Sequence, residues 1–302
     1  MIWDALRGGR IVYTGWDEWF LSCPDSAGSL YVTEKGEGEP LVVLHGGPGG
    51  DHRYLIAAVA PLTQHFRVVL YDRRGCLRSP VPLDRVTFQA NVADLRALQE
   101  QLGAEKIHLF AHSAGAELAA AYVQAFSDLV GRVVLVGPPP LRSGGDEEER
   151  ELLQQQHQAR VAFEKEKWRQ LLEQLGYDES DLGKLPDRER SHFYRMRDAT
   201  LFLRYPERWR DNPVYFYSHE VSMAVGNSMP KEYDFVDALK KHHGNVTVIV
   251  GDHDVVDLGG RLARFYYENS PIRLVVLEDA GHNVWIDQPE RFLELVREAL
   301  LG

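Results

Sequence analysis

Three short stretches hold residue types that together could transfer an acyl group through a serine. The first is Ala111-His112-Ser113-Ala114-Gly115, where a β-branched run gives way to a helical one. A serine at such a junction sits on a tight turn that lifts its hydroxyl above the sheet edge, and small flanking residues let helix and strand approach. A hydroxyl is a weak nucleophile until a base takes its proton, and the base works best when a carboxylate fixes its tautomer. Gly251-Asp252-His253-Asp254 and Glu278-Asp279-Ala280-Gly281-His282 offer both, each directly after a short apolar run. The spacing therefore assigns Ser113 as nucleophile, His282 as general base and Asp254 as orienting carboxylate, with Asp252 and Asp257 as alternative acids. Of the twelve histidines, His282 alone stands at the carboxyl end of the final apolar run. His112 adjoins the serine, but the turn keeps it from taking the hydroxyl proton.

Acyl transfer also needs backbone donors for the developing oxyanion, each worth about 10²–10³ in rate. His45-Gly46-Gly47-Pro48-Gly49 follows another apolar run, and glycines there can turn their N–H groups toward a substrate. Gly47 N–H and Ala114 N–H are the expected pair, with His45 bracing the loop. His242, His243 and His253 read as parts of solvated polar loops rather than metal ligands. No Cys/His cluster has zinc-binding spacing, and the chemistry requires no cofactor.

Strands and helices in alternation would position these residues. Residues 41–45, 67–71, 107–111, 132–136, 246–250 and 273–277 are short, continuous apolar runs of the kind that form buried parallel strands. Helical stretches are expected over 53–64, 87–102 and 114–126, and antiparallel edge strands over 10–14, 17–22 and 30–33. The texture changes after Pro140. Asp146 and Glu149 have capping-box spacing, and the acidic run 146–149 reads as a solvated helix start. Val161, Trp168, Leu171, Leu172 and Leu175 recur at helical spacing up to Gly176. The expectation is an α/β class core over 1–140 and 244–302, a mostly parallel sheet with helices on both faces, interrupted by a helical cap over 141–243.

Composition narrows the class further. The chain has 302 residues, 44% of them hydrophobic and 26% charged, as in globular proteins. A net charge of −11 argues against a nucleic-acid partner. No apolar run is long enough to span a bilayer, the first residues do not read as a signal peptide, and only two cysteines occur. A cytoplasmic protein acting on a small molecule or short peptide is expected, of unknown oligomeric state.

His45-Gly46-Gly47-Pro48-Gly49, then Tyr71-Asp72-Arg73-Arg74-Gly75, the Ser113 turn, the Asp254 loop and Ala280-Gly281-His282 resemble the proline iminopeptidase branch of the α/β-hydrolases. The resemblance covers residues 25–140 and 244–302. It implies a helical cap and release of an N-terminal residue, often proline, from short peptides or amides. It also implies cap glutamates that hold the substrate's free amine. Glu207, Glu220 and Glu232 are the candidates, Glu220 foremost. Phe202, Trp209, Tyr215, Phe216 and Tyr217 could line the pocket or form the cap's own core. Members of the branch usually carry an aromatic residue after the nucleophile, where this chain has Ala114, and Val255 follows Asp254. A carboxylesterase or lactonase is the alternative reading. A hydrolase fold kept as a ligand-binding receptor without turnover is a third.

Overall fold

The structure is a computed structural model that describes residues 15–176, 178, 180, 184, 185, 198, 200–211, 216–243 and 245–302. The strand expected over 10–14 and the side chains of Trp209 and Tyr215 lie outside the described residues.

Among the described residues, eight strands form one sheet in the order β1-β2-β4-β3-β5-β6-β7-β8. They are β1 (Asp17–Ser22), β2 (Ser29–Lys35), β3 (Pro40–Leu44), β4 (Arg67–Tyr71), β5 (Ile107–His112), β6 (Val130–Val136), β7 (Val246–Gly251) and β8 (Arg273–Leu277). Strands β1 and β2 pair antiparallel and form one edge, as their sequences suggest, and all pairs from β4 through β8 are parallel. The inner strands read as continuous apolar runs because helices cover both faces.

Alternate side chains sort onto those faces. Val42, Leu44, Leu109, Ala111, Val133 and Leu135 face α2 (Phe88–Leu102), α3 (Gly115–Phe126), α6 (Phe235–Lys241) and α7 (Arg261–Tyr267). Leu41, Val43, Phe110, Val134 and Val136 face the opposite layer, built from residues 52–64, α8 (Val284–Asp287) and α9 (Pro289–Leu301). The stretch 52–64 is not the single helix its sequence suggests. It is α1 (Ile56–Val59) between two 3-10 segments, His52–Leu55 and Ala60–Gln64, with Pro61 in the first turn of the second.

Between β6 and β7 the described elements are helical: α4 (Glu147–Leu175), a 3-10 segment Pro206–Asp211, α5 (His219–Asn227) and α6. Asp146 caps α4 by accepting from Glu149 N–H at 2.9 Å, and Gly176 closes the helix in the left-handed region. Glu147 and Glu148 are exposed as expected of a solvated start, but Glu149 is fully buried. Its carboxylate accepts from Arg142 and from the Tyr266 hydroxyl at 2.7 Å, tying the start of α4 to α7. No helix among the described residues is long and apolar enough to cross a membrane.

Candidate active site

Parallel sheets bind ligands where the strand order reverses, at the carboxyl ends of the strands. Here the chain goes from β3 outward to β4 on one side, then returns to place β5 on the other side of β3. The loops after β3 and β5 therefore part at this point, and they carry Gly46-Gly47 and Ser113. In register, Leu44 pairs with Ala111, so the two loops start side by side. They then run so close that a β-carbon on Gly46 would lie 2.6 Å from Ser113 Cβ. Only glycine fits there.

Ser113 has φ of +53°, a left-handed conformation that side chains adopt at a cost. Its N–H donates to Val136 O at 2.9 Å, and its carbonyl accepts from Ala116 N–H at 2.8 Å. The turn is thus held between β6 and the start of α3. Ala114 precedes α3 as its N-cap, among the backbone N–H groups that a helix's own ladder leaves over.

Two strands farther along, β7 ends in the loop that carries Asp254, and the adjacent β8 ends in the loop that carries His282. The loops are stitched together by Asp252 N–H to Leu277 O at 3.0 Å and His253 N–H to Ala280 O at 2.9 Å. His282 Nδ1 lies 2.9 Å from Asp254 Oδ1 and 2.8 Å from Oδ2, with both residues buried. A carboxylate only accepts, so Nδ1 carries the proton and Nε2 is left unprotonated in the neutral ring. Val256 N–H donates to Asp254 Oδ1 at 2.8 Å and fixes the carboxylate from behind.

The other two acids are engaged elsewhere. Asp252 accepts from His253 at 2.7 Å and from Ala280 N–H at 3.2 Å. Asp257 accepts from Leu262 and Ala263 N–H at 2.9 and 2.8 Å. Burial and the nearby Asp254 charge push the Asp257 carboxyl up to about 6 despite those donors.

Ser113 and His282 line one cavity of about 140 Å³, together with Gly46, Gly47, Tyr54, Asp198, Phe202 and Tyr217. The Gly46 N–H is committed to the Tyr54 hydroxyl at 2.7 Å, whereas Gly47, with φ of +53°, lines the cavity itself. His45 braces the loop from below: its Nε2 accepts from Arg73 N–H at 3.2 Å, and burial and then the Arg73 charge lower its pKa to about 4. From the segment between β6 and β7, Phe216 N–H donates to Asp51 Oδ2, and Ser218 N–H donates to Gly49 O at 2.8 Å. Residues 216–218 therefore rest on the glycine loop. Phe202 packs against His282 with the rings tilted at 53° and 4.8 Å between centroids, and its carbonyl accepts from Asn283 N–H.

Glu220, the foremost amine-binding candidate, is exposed in the first turn of α5 and is not among the cavity's lining residues. Glu207 and Glu232 likewise lie outside that lining, and Glu207 is exposed. The carboxylate that does line the cavity is Asp198, buried to 5% exposure, which no sequence pattern marked. Asp287 is a second residue the sequence left unmarked. It is buried and accepts from Gly281, Arg204 and Tyr205 N–H at 2.8–3.0 Å, so it pins the His282 loop to the residues that bring Phe202 over the cavity. His242, by contrast, joins Ser127 to Gly131 O far from this site, and no metal-binding group of His, Cys, Asp and Glu occurs among the described residues.

The profile of the alpha/beta hydrolase fold family matches residues 39–289. The chain belongs to that family. Within it, this α/β-hydrolase is 26% identical over 298 residues to a proline iminopeptidase from Saccharolobus solfataricus, over 87% of this chain and 85% of that protein. A proline iminopeptidase from Lactiplantibacillus plantarum is 45% identical over 86 residues, covering 28% of this chain and 30% of its own. A proline iminopeptidase-related protein from Thermus thermophilus superposes with a TM-score of 0.66 at 25% identity, covering 95% of this chain and 97% of that one. An esterase from Thermogutta terrifontis superposes with a TM-score of 0.68 at 22% identity, over 94% of this chain and 98% of that one, a likeness of fold.

Proposed function

We propose that this hydrolase is a serine enzyme working through an acyl-enzyme, and that it releases N-terminal residues from small peptides or amides, in line with the names of its proline iminopeptidase relatives. The observation that carries the reading is the buried Asp254–His282 pair in the wall of the cavity that Ser113 also lines. His282 Nε2 takes the Ser113 proton while Oγ bonds to the scissile carbonyl carbon. Gly47 and Ala114 N–H hold the resulting oxyanion. The C–N bond breaks as His282 returns the proton to the leaving amine, and the same imidazole then activates water to free the acyl group. Asp254 stays ionised throughout and stabilises the imidazolium.

Residues 141–243 serve as the cap, with 216–218 seated on the glycine loop and Phe202 against the base. Asp198, rather than Glu220, is the carboxylate that would hold the substrate's α-ammonium. A second reading, a carboxylesterase or lactonase for small acyl esters, is favoured by the position of Glu220 outside the cavity lining.

Turnover of proline naphthylamide, p-nitrophenyl acetate and p-nitrophenyl butyrate, with Ser113→Ala as the blank, separates the two. Amide cleavage that requires a free α-amine supports the first. Ester cleavage alone selects the second, and no Ser113-dependent cleavage of any of the three sinks both.

A further inference from the structure

In the cavity wall, Tyr54 and His112 form a hydrogen-bonded chain whose direction is fixed by its end partners. His112 Nε2 lies 3.3 Å from the backbone carbonyl of His282. A carbonyl only accepts, so Nε2 carries the proton. In the neutral ring Nδ1 then accepts, and the Tyr54 hydroxyl donates to it at 2.8 Å. With its proton spent there, the Tyr54 oxygen accepts from Gly46 N–H at 2.7 Å. The chain runs from the glycine loop at one end to the base-bearing loop at the other.

Its setting leaves little freedom. Tyr54 is 6% exposed and His112 3%. The His112 ring lies 4.5 Å from that of His282 between centroids, and 4.8 Å from Trp285, edge on at 88°. Burial, and then the neighbouring His282, hold the His112 pKa well below the ordinary histidine range, so the neutral form persists. A protonated ring would turn Nδ1 into a donor, so the Tyr54 oxygen would accept from both Nδ1 and Gly46 N–H, and the Tyr54 hydroxyl proton would lose its acceptor.

We propose that Tyr54 and His112 are positioning residues that lock the 46–47 loop and the His282 loop in one register, so that the oxyanion donor and the base meet Ser113 together. The inference rests on the serine-hydrolase reading, since only that reading requires both loops to act on one hydroxyl. Neither residue touches the reacting atoms in this scheme. They act on the chemistry solely through the two loops.

Tyr54→Phe removes one oxygen and breaks both of its bonds. It should lower kcat about 10- to 100-fold with KM held within about two-fold, and slow phosphonylation of Ser113 by a fluorophosphonate in parallel. His112→Leu should do the same, and the double variant should lose no more than the worse single one, because the chain works as a unit. Wild-type kcat in Tyr54→Phe, or losses that multiply in the double variant, would overturn the proposal. Independently of turnover, ¹⁵N-imidazole spectra should show His112 as the neutral Nε2–H tautomer from about pH 5 to about pH 9. A Nδ1–H tautomer, or titration near the ordinary histidine value, would overturn it even in a protein that labels normally. Failure of the wild type to label at Ser113 would instead strike the catalytic reading.

Discussion

Gly137 leaves no room for a side chain beside His282: a β-carbon there would lie 2.8 Å from His282 Nδ1 and 2.9 Å from Asp254 Oδ2. Gly137 follows β6 with φ of +53°, and its N–H donates to Ile249 O at 2.9 Å, so the backbone is pinned while the imidazole and carboxylate pack on its bare face. Gly137→Ala should therefore push the pair apart or tilt the ring. Displacements of about 1 Å in a reacting constellation cost about 10²-fold. A fall in kcat of that size is expected in a protein whose circular dichroism matches the wild type. Unchanged kcat would mean that the pair does not need its present place.

The three nearby carboxylates have separate partners, so their variants should behave differently. Asp254→Asn keeps the shape but loses the charge and forces the wrong tautomer on His282, an effect of about 10⁴ in kcat. Asp252→Asn should leave kcat within about two-fold, because its carboxylate contacts His253 and the backbone N–H groups of Ala280 and Asp279 rather than His282. Asp257→Asn should lower the melting temperature and not kcat, since Asp257 holds the start of α7. Kinetics and melting of the three variants check this. A dead Asp257→Asn beside an active Asp254→Asn would reverse the assignment.

The sheet was readable because each inner strand is a continuous apolar run, a pattern that burial on both faces imposes on local sequence. Ser113, Asp254 and His282 stand out as candidates for a related reason: each follows such a run, and strand ends on one edge of a parallel sheet converge. What local sequence does not encode is contact made across the fold. Tyr54 meets His112 across 58 residues, and Asp287 meets Arg204 across 83. Glu149 has the look of a solvated residue in its acidic run, and it is buried because Tyr266, 117 residues later, reaches it. Glu220 was a reasonable carboxylate by type and region. Helix phase alone decides that it faces outward from the first turn of α5.

Ser113 is held at a backbone angle that costs an ordinary residue about 1–2 kcal/mol and costs glycine little. Ser113→Gly should thus abolish turnover and still be more stable than Ser113→Ala, by about 1 kcal/mol. For a chain of this size that is a rise of about 2 °C in melting temperature. Differential scanning calorimetry of the two variants measures it. Equal melting temperatures would mean that no strain is stored at the nucleophile.

Glu117 stands in the first turn of α3, four residues past Ser113, and burial raises its carboxyl to about 7, against a smaller lowering by the Arg73 charge. An acid whose folded value lies above its unfolded value of 4.5 binds more protons folded than unfolded. Its contribution to stability therefore falls as pH rises from about 4.5 to about 7, by up to about 1.4 kcal/mol for each unit of displacement. Above that window the ionised carboxylate is a standing penalty. Glu117→Gln cannot ionise, so it should gain stability relative to the wild type at about pH 8 and show little or no gain at about pH 5. Melting temperatures of both proteins at the two pH values test this. An offset that is the same at both would show that Glu117 is already ionised in the folded chain at the lower pH.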